Sequence, residues 1–115
     1  MTAPTWQQYM TEQMMQDSIR VAALQYGWKF YHTHNSRRSD AGYPDCVMIR
    51  DGVMLVYELK AQRGRVSPQQ REWLAAFAGL GFNVRAAIVR PVPRDDSELS
   101  YDAALAMLAG QEAIR

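Results

Sequence analysis

The stretch Gly42–Lys60, GYPDCVMIRDGVMLVYELK, constrains this chain more than any other. Two apolar runs flank Asp51-Gly52. Asp-Gly between such runs marks a two-residue hairpin, because a type I′ turn needs positive φ at both central residues. Counting outward from an Arg50–Val53 pair brings Asp45 directly opposite Glu58. The two carboxylates then share one face, with Cβ atoms roughly 4.5–5.5 Å apart. Like charges so placed destabilise a sheet. A cation between them removes that cost, and an oxygen-rich site suits Mg²⁺. Lys60, two residues beyond Glu58, projects from the same face.

An ordinary surface hairpin with solvated charges at its end is the bland alternative. The neighbours argue against it. Val47, Ile49, Met54 and Val56 share the face of Asp45 and Glu58, while Cys46, Met48, Leu55, Tyr57 and Leu59 line the other. Two apolar faces predict a hairpin covered on both sides. Charges at the end of such a strand pair are half buried and need partners.

The 115 residues suit one domain with a real core. Net charge is +1, so the whole chain carries no polyanion-binding signature. Its distribution is more telling. Between Lys29 and Arg71 basic residues outnumber acidic ones, whereas Asp95, Asp96, Glu98, Asp102 and Glu112 dominate from Arg94 onward. Positive charge therefore clusters around the carboxylate pair. The single cysteine, Cys46, rules out an internal disulfide and fits a reducing, cytoplasmic setting. Mid-strand in an apolar run, it reads as a small buried thiol. No signal peptide or membrane-spanning run is evident.

A first helix is expected to start between Thr5 and Thr11 and end near Tyr26, with Gly27 just past its end. Met15, Ile19, Ala22 and Tyr26 form its apolar stripe, and Glu12 continues that line, either reaching solvent or pointing at something that wants a carboxylate. Trp28–His34 alternates as a strand, with Trp28, Phe30, His32 and His34 on one face. The two histidines lack the further Cys or His ligands of a zinc site; His32 packs or contacts substrate. Residues 35–41 are polar and carry Arg37, Arg38 and Ser39, which read either as a solvated loop or as a phosphate grip leading into the carboxylates. Beyond the hairpin, Arg63 and Arg65 flank a glycine in a flexible basic loop. Ser67-Pro68-Gln69-Gln70 then opens a helix as N-cap, N1 and capping box. Trp73, Leu74, Phe77 and Leu80 form its apolar face, and Gln70 serves the cap alone or also turns toward the sheet. Phe82–Val89 reads as a last strand, Arg94–Glu98 as a charged linker, and Ser100 to about Ile114 as a covering or dimerising helix.

The order helix, three strands, helix, strand, helix predicts an α/β fold, a mixed sheet with helices on both faces. The core spans about residues 11–91, with a helical extension over about 98–115. Two carboxylates and a lysine at the end of adjacent strands can hold a divalent metal and stabilise charge on phosphate.

Pro44-Asp45 followed by Glu58-Leu59-Lys60 resembles the PD-(D/E)xK nuclease superfamily. With Glu12, Ser39, Gly42-Tyr43 and Ser67-Pro68-Gln69-Gln70 before Trp73, the chain resembles the VRR-NUC family, the virus-type replication-repair nucleases, in its small stand-alone form as found in phages. The resemblance runs from about Glu12 to Pro91. It implies a restriction-endonuclease-like core and Mg²⁺- or Mn²⁺-dependent hydrolysis of DNA. It also implies a site in which Asp45, Glu58 and the Leu59 carbonyl hold metal, Glu12 assists directly or through water, Lys60 is catalytic and Gln70 supports. Arg37, Arg38, Ser39, Arg63, Arg65 and His32 would contact DNA. Stand-alone relatives resemble Holliday-junction resolvases and often act as homodimers on branched DNA. Relatives often carry a Trp before Arg-Pro at the end of the last strand, where this chain has Ile88-Val89-Arg90-Pro91. Two rival functions fit the same length: a non-catalytic, structure-selective DNA-binding module, or a partner-binding domain of a replication or repair complex.

Overall fold

The computed structural model describes residues 5–34 and 39–110. The hairpin stands at its centre. Asp51 and Gly52 have φ of 51° and 78°, as the type I′ turn requires. Strands β2 (Cys46–Arg50) and β3 (Val53–Leu59) pair antiparallel, with Arg50 opposite Val53 and Cys46 opposite Tyr57. This is the register that sets Asp45 against Glu58. Strand β1 (Lys29–His32) extends the antiparallel ladder on one side. On the other, helix α2 (Pro68–Ala78) crosses over to β4 (Val84–Arg90), which pairs parallel with β3. A two-residue strand, β5 (Leu99–Ser100), completes the sheet order β1-β2-β3-β4-β5.

Both faces are covered, as the hairpin's apolar patterning requires. Helix α1 (Glu12–Gln25) and helix α3 (Tyr101–Leu108) bury Met15, Ile19, Ala23, Ala104, Met107 and Leu108 against Cys46, Met48, Leu55, Tyr57 and Leu59. Helix α2 sets Leu74 and Phe77 against Val47, Met54, Val56 and Ile88 on the opposite face. Buried polar atoms tie the layers together: the Tyr57 hydroxyl donates to the Ala104 carbonyl at 3.0 Å and Trp28 Nε1 to the Leu108 carbonyl at 2.9 Å. Helix α3 is thus a structural cover of the main core. The fold is the expected mixed sheet with flanking helices.

Several boundaries differ from the sequence reading. Residues Thr5–Tyr9 form a separate 3-10 turn before α1, whose N-cap is Thr11. Tyr26 does not join the apolar stripe: it is the C-cap residue of α1 and exposed, while Ala23 takes the buried position. Phe82 precedes β4 and is exposed, because the strand begins only where Val84 can pair with Met54. Helix α3 starts after Ser100, whose hydroxyl accepts from the Ala103 N–H, and stops at Leu108. The expected continuation to Ile114 lies beyond the described residues. Among the described residues no helix is long and apolar enough to cross a membrane.

Candidate active site

The carboxylates meet at the end of the hairpin away from its turn. Two bonds fix the start of β2: the Thr33 N–H donates to the Asp45 carbonyl at 2.9 Å and the Thr33 hydroxyl to the Pro44 carbonyl at 2.9 Å. Asp45 Oδ2 accepts the Leu59 N–H at 2.8 Å, so one carboxylate oxygen serves as a strand-end backbone acceptor. Across from it, Glu58 is only 3% exposed. Its Oε2 lies 3.1 Å from Gln70 Nε2 and 3.8 Å from Lys60 Nζ.

Gln70 performs both tasks the sequence left open. Its Oε1 accepts the Ser67 N–H at 2.8 Å, closing the capping box, and its amide nitrogen donates to Glu58. The cap sets the orientation of the amide, because only its oxygen can accept from an N–H. The helix start is thereby coupled to the carboxylate. The loop before Asp45 is pressed onto the same helix end. Gly42, at φ +84°, sits so close to α2 that a Cβ would lie 2.5 Å from the Gln69 carbonyl carbon and 2.6 Å from the Gln70 nitrogen. Trp73 Nε1 donates to the Ala41 carbonyl at 3.2 Å, and the Tyr43 and Trp73 rings meet edge to face at 5.0 Å.

The electrostatics are those of a site prepared for positive charge. Burial, then the charge of Asp45 and a hydrogen bond with it, push the Glu58 carboxyl up to about 9; Lys60 opposes this and Glu12 adds to it. Glu58 Oε1 is buried without a hydrogen-bond partner. A buried carboxylate oxygen without a donor is rare, and an ion is one of its ordinary explanations. The donor set is all oxygen, the chemistry of a hard divalent cation that keeps several waters and takes one or two protein carboxylates. In an extended residue the N–H and C=O project to the same side, so the Leu59 carbonyl faces the same edge as Asp45. The residues fit a divalent metal held by Asp45, Glu58 and this carbonyl. Among the described residues no three His, Cys, Asp or Glu side chains gather in one cluster. Glu12 stands off, its Oε2 accepting the Ala61 N–H at 3.4 Å.

The other expected site residues divide. His32 pairs with Cys46 and so projects toward the α1 side, the opposite face from Asp45 and Glu58. It is half-buried, 4.2 Å from the exposed His34 ring, with its Nδ1 buried and unpaired. Arg37 and Arg38 lie outside the described residues; Ser39 is half-buried. Arg63 and Arg65 are exposed, yet their loop is held rather than free. Arg90 Nη1 donates to the carbonyls of Ala61 (3.0 Å), Gln62 (3.4 Å) and Gly64 (2.8 Å). Its Nε makes a buried pair with Glu98 at 2.9 Å. The Gln62 side-chain amide bonds both the N–H and the carbonyl of Val92. Arg90, Glu98 and Gln62 were missed from sequence as determinants of the loop after Lys60, and Glu98 is buried where a charged linker was expected. The only sequence hint was a basic residue closing an apolar strand before a proline. Cys46 is a core thiol, kept from ionising by burial first and by Asp45 and Glu58 second.

The chain is 29% identical over 93 residues to a Fanconi-associated nuclease 1 homolog of Arabidopsis thaliana. That match covers 75% of this chain but 10% of the relative. No solved structure matches. A model of the VRR-NUC domain matches residues 3–91, which take in the carboxylate pair, Lys60 and the Gln70 helix, and the chain belongs to that family.

Proposed function

We propose that this chain is a metal-dependent endodeoxyribonuclease that hydrolyses phosphodiester bonds in branched or structured DNA, acting as a homodimer. The observation that carries the reading is the convergence of Asp45, Lys60 and Gln70 on the buried Glu58. When bound between the two carboxylates, Mg²⁺ or Mn²⁺ would supply positive charge against the scissile phosphate and activate water for attack.

The protein's own groups do the positioning. Asp45 spends one oxygen on Leu59 and keeps the other for the site. Gln70 and Lys60 hold Glu58 by Oε2, which leaves Oε1 to face a cation. Both carboxylates are thereby set before substrate arrives, so little reorganisation is left for the transition state. Lys60 is close enough to the same point to orient the attacking water or to offset negative charge developing on phosphate. Arg63 and Arg65, exposed on the pinned loop that follows, would meet flanking phosphates, and Arg37 and Arg38 are proposed to do the same. A single small sheet offers limited surface for a branched substrate, which favours two copies acting together.

The test is cleavage of labelled duplex, flap and four-way junction DNA in Mg²⁺, Mn²⁺ or EDTA, with Asp45→Asn alongside. Metal-dependent cutting that disappears in the variant supports the reading. Tight DNA binding with no cutting in either metal would overturn it in favour of a recognition module.

A further inference from the structure

A cleft of about 680 Å³ opens beside the carboxylates, between the Thr5–Tyr9 turn with the start of α1 and the Ala61–Arg63 loop. It adjoins the site directly. Glu12, in its wall, accepts the Ala61 N–H, and Ala61 follows Lys60 in the chain. None of the proposed catalytic chemistry uses this space.

Its wall is unusual. Tyr9 lines the cleft and is 77% exposed, and Trp6 is 61% exposed. In a 3-10 turn residues three apart eclipse one another, so Trp6 and Tyr9 stand on the same face. The pair is not a frayed end: Met10, next in the chain, is buried in the main core, and Thr11 caps α1 by accepting the Met14 N–H at 3.0 Å. The Tyr9 ring is thus presented to solvent in a cleft whose other wall carries the exposed Arg63, with the exposed Trp6 one turn before it. Aromatic faces beside a cation are the surface on which single-stranded nucleic acid binds, bases stacking on rings while cations take the phosphates.

Resting on the nuclease reading for what lies next door, we propose that this cleft receives an unpaired nucleotide of the substrate, its base stacked on Tyr9 and its phosphate met by Arg63. Inside a duplex both faces of a base are covered by its neighbours, so away from a duplex end an unstacked base is needed to offer one to Tyr9. The carboxylate of Glu12 keeps phosphate to the Arg63 side of the cleft. Of the lining amides, two are already engaged and that of Gln8 is exposed. The Gln62 amide is committed to Val92, and that of Gln13 donates to Asp17 at 2.8 Å. Stacking on Tyr9 therefore selects strand state, and it directs the site to phosphates at the border between paired and unpaired DNA.

The experiment measures binding in EDTA, so that no cutting intervenes, to a duplex closed at both ends by hairpin loops remote from the test segment and to the same segment opened at one end into a single-stranded overhang carrying 2-aminopurine. Wild-type protein is expected to quench the 2-aminopurine and to bind the overhang about tenfold more tightly than the closed duplex, a preference of the size of one stacked base. Tyr9→Ala abolishes both the quenching and the preference, and Tyr9→Phe retains them. The proposal is overturned if wild type shows no overhang preference, or if Tyr9→Ala still quenches or weakens both DNAs equally. A protein that stacks the overhang but never cuts DNA would refute the nuclease reading while upholding the cleft.

Discussion

Replacing Asp45 by asparagine removes a charge from the site while keeping an oxygen where one is needed. In the metal-free protein the Glu58 carboxyl is raised from 4.5 to about 9, so the folded state holds a proton there that the unfolded chain loses. Stability of the metal-free fold therefore falls as pH rises from about 4.5 to about 9. Burial is the largest cause of this rise and persists in the variant, while the like charge of Asp45, the next cause, does not. A neighbouring charge typically moves a carboxyl pKa by about 1–3, so the part removed with Asp45 is about 1–4 kcal/mol. Against it stands the weaker bond from a neutral amide to the Leu59 N–H, a loss of about 1 kcal/mol or less. Asp45→Asn is thus expected to stabilise the protein in EDTA by about 1–3 kcal/mol near pH 8, roughly 4–12 °C in Tm.

Alanine behaves differently. Relief of repulsion alone would make Asp45→Ala stabilising. The 2.8 Å bond to Leu59 changes this, because alanine leaves a buried N–H without an acceptor at a cost of about 1–3 kcal/mol. Alanine should come out near neutral, below asparagine. In millimolar Mg²⁺ the order reverses, since only wild type gains binding free energy from the cation. Chemical unfolding across this pH range, in EDTA and in Mg²⁺, decides the matter. An asparagine variant less stable than wild type in EDTA at every pH would refute the opposed-carboxylate account. An alanine variant as stable as asparagine would refute the role given to the Leu59 bond.

Lys60→Ala is expected to lower single-turnover cleavage by at least about a hundredfold with an unchanged circular dichroism spectrum; retained activity would remove Lys60 from the mechanism. Gly42→Ala forces a Cβ into the backbone of Gln69 and Gln70 at φ +84°, and should cost about 2–4 kcal/mol of unfolding free energy while reducing cleavage even where the protein is folded. Arg90→Ala leaves Glu98 as an unpaired buried charge and should destabilise by about 3–5 kcal/mol. Adding Glu98→Gln should restore part of that stability but not the loop, whose susceptibility to proteolysis after Arg63 reports the lost Arg90 bonds.

The carboxylate pair was readable because a two-residue turn sets register, and register decides which side chains face each other. Asp51-Gly52 thus places Asp45 against Glu58 with no tertiary information. The Ser67-Pro68-Gln70 cap was equally local. Sequence could not choose between capping and facing the sheet for Gln70, since both follow from the same helix position. The structure answers that a side-chain amide has two ends. Tyr26 and Phe82 were misplaced for a simpler reason: apolar spacing continues past the point where a helix or strand stops.

Arg90 and Glu98 escaped for a different reason, and it bears on how such sites are held. Helical and strand periodicity report which face a residue takes within one element. They do not report which loop will close on which strand end. A charged run such as Arg94–Glu98 reads as solvated because most such runs are. Here one member turns inward to meet an arginine that closes a buried strand, and Nη1 of that arginine bonds the carbonyls of Ala61, Gln62 and Gly64 in the loop. Lys60 thus stands between two fixed points, the Glu58 strand on one side and a loop pinned by Arg90 on the other. A lysine on a freely moving loop would lose conformational entropy each time it engaged substrate. Pinning both flanks transfers that cost to folding, which is why a pair far from the carboxylates in sequence belongs to the account of the site.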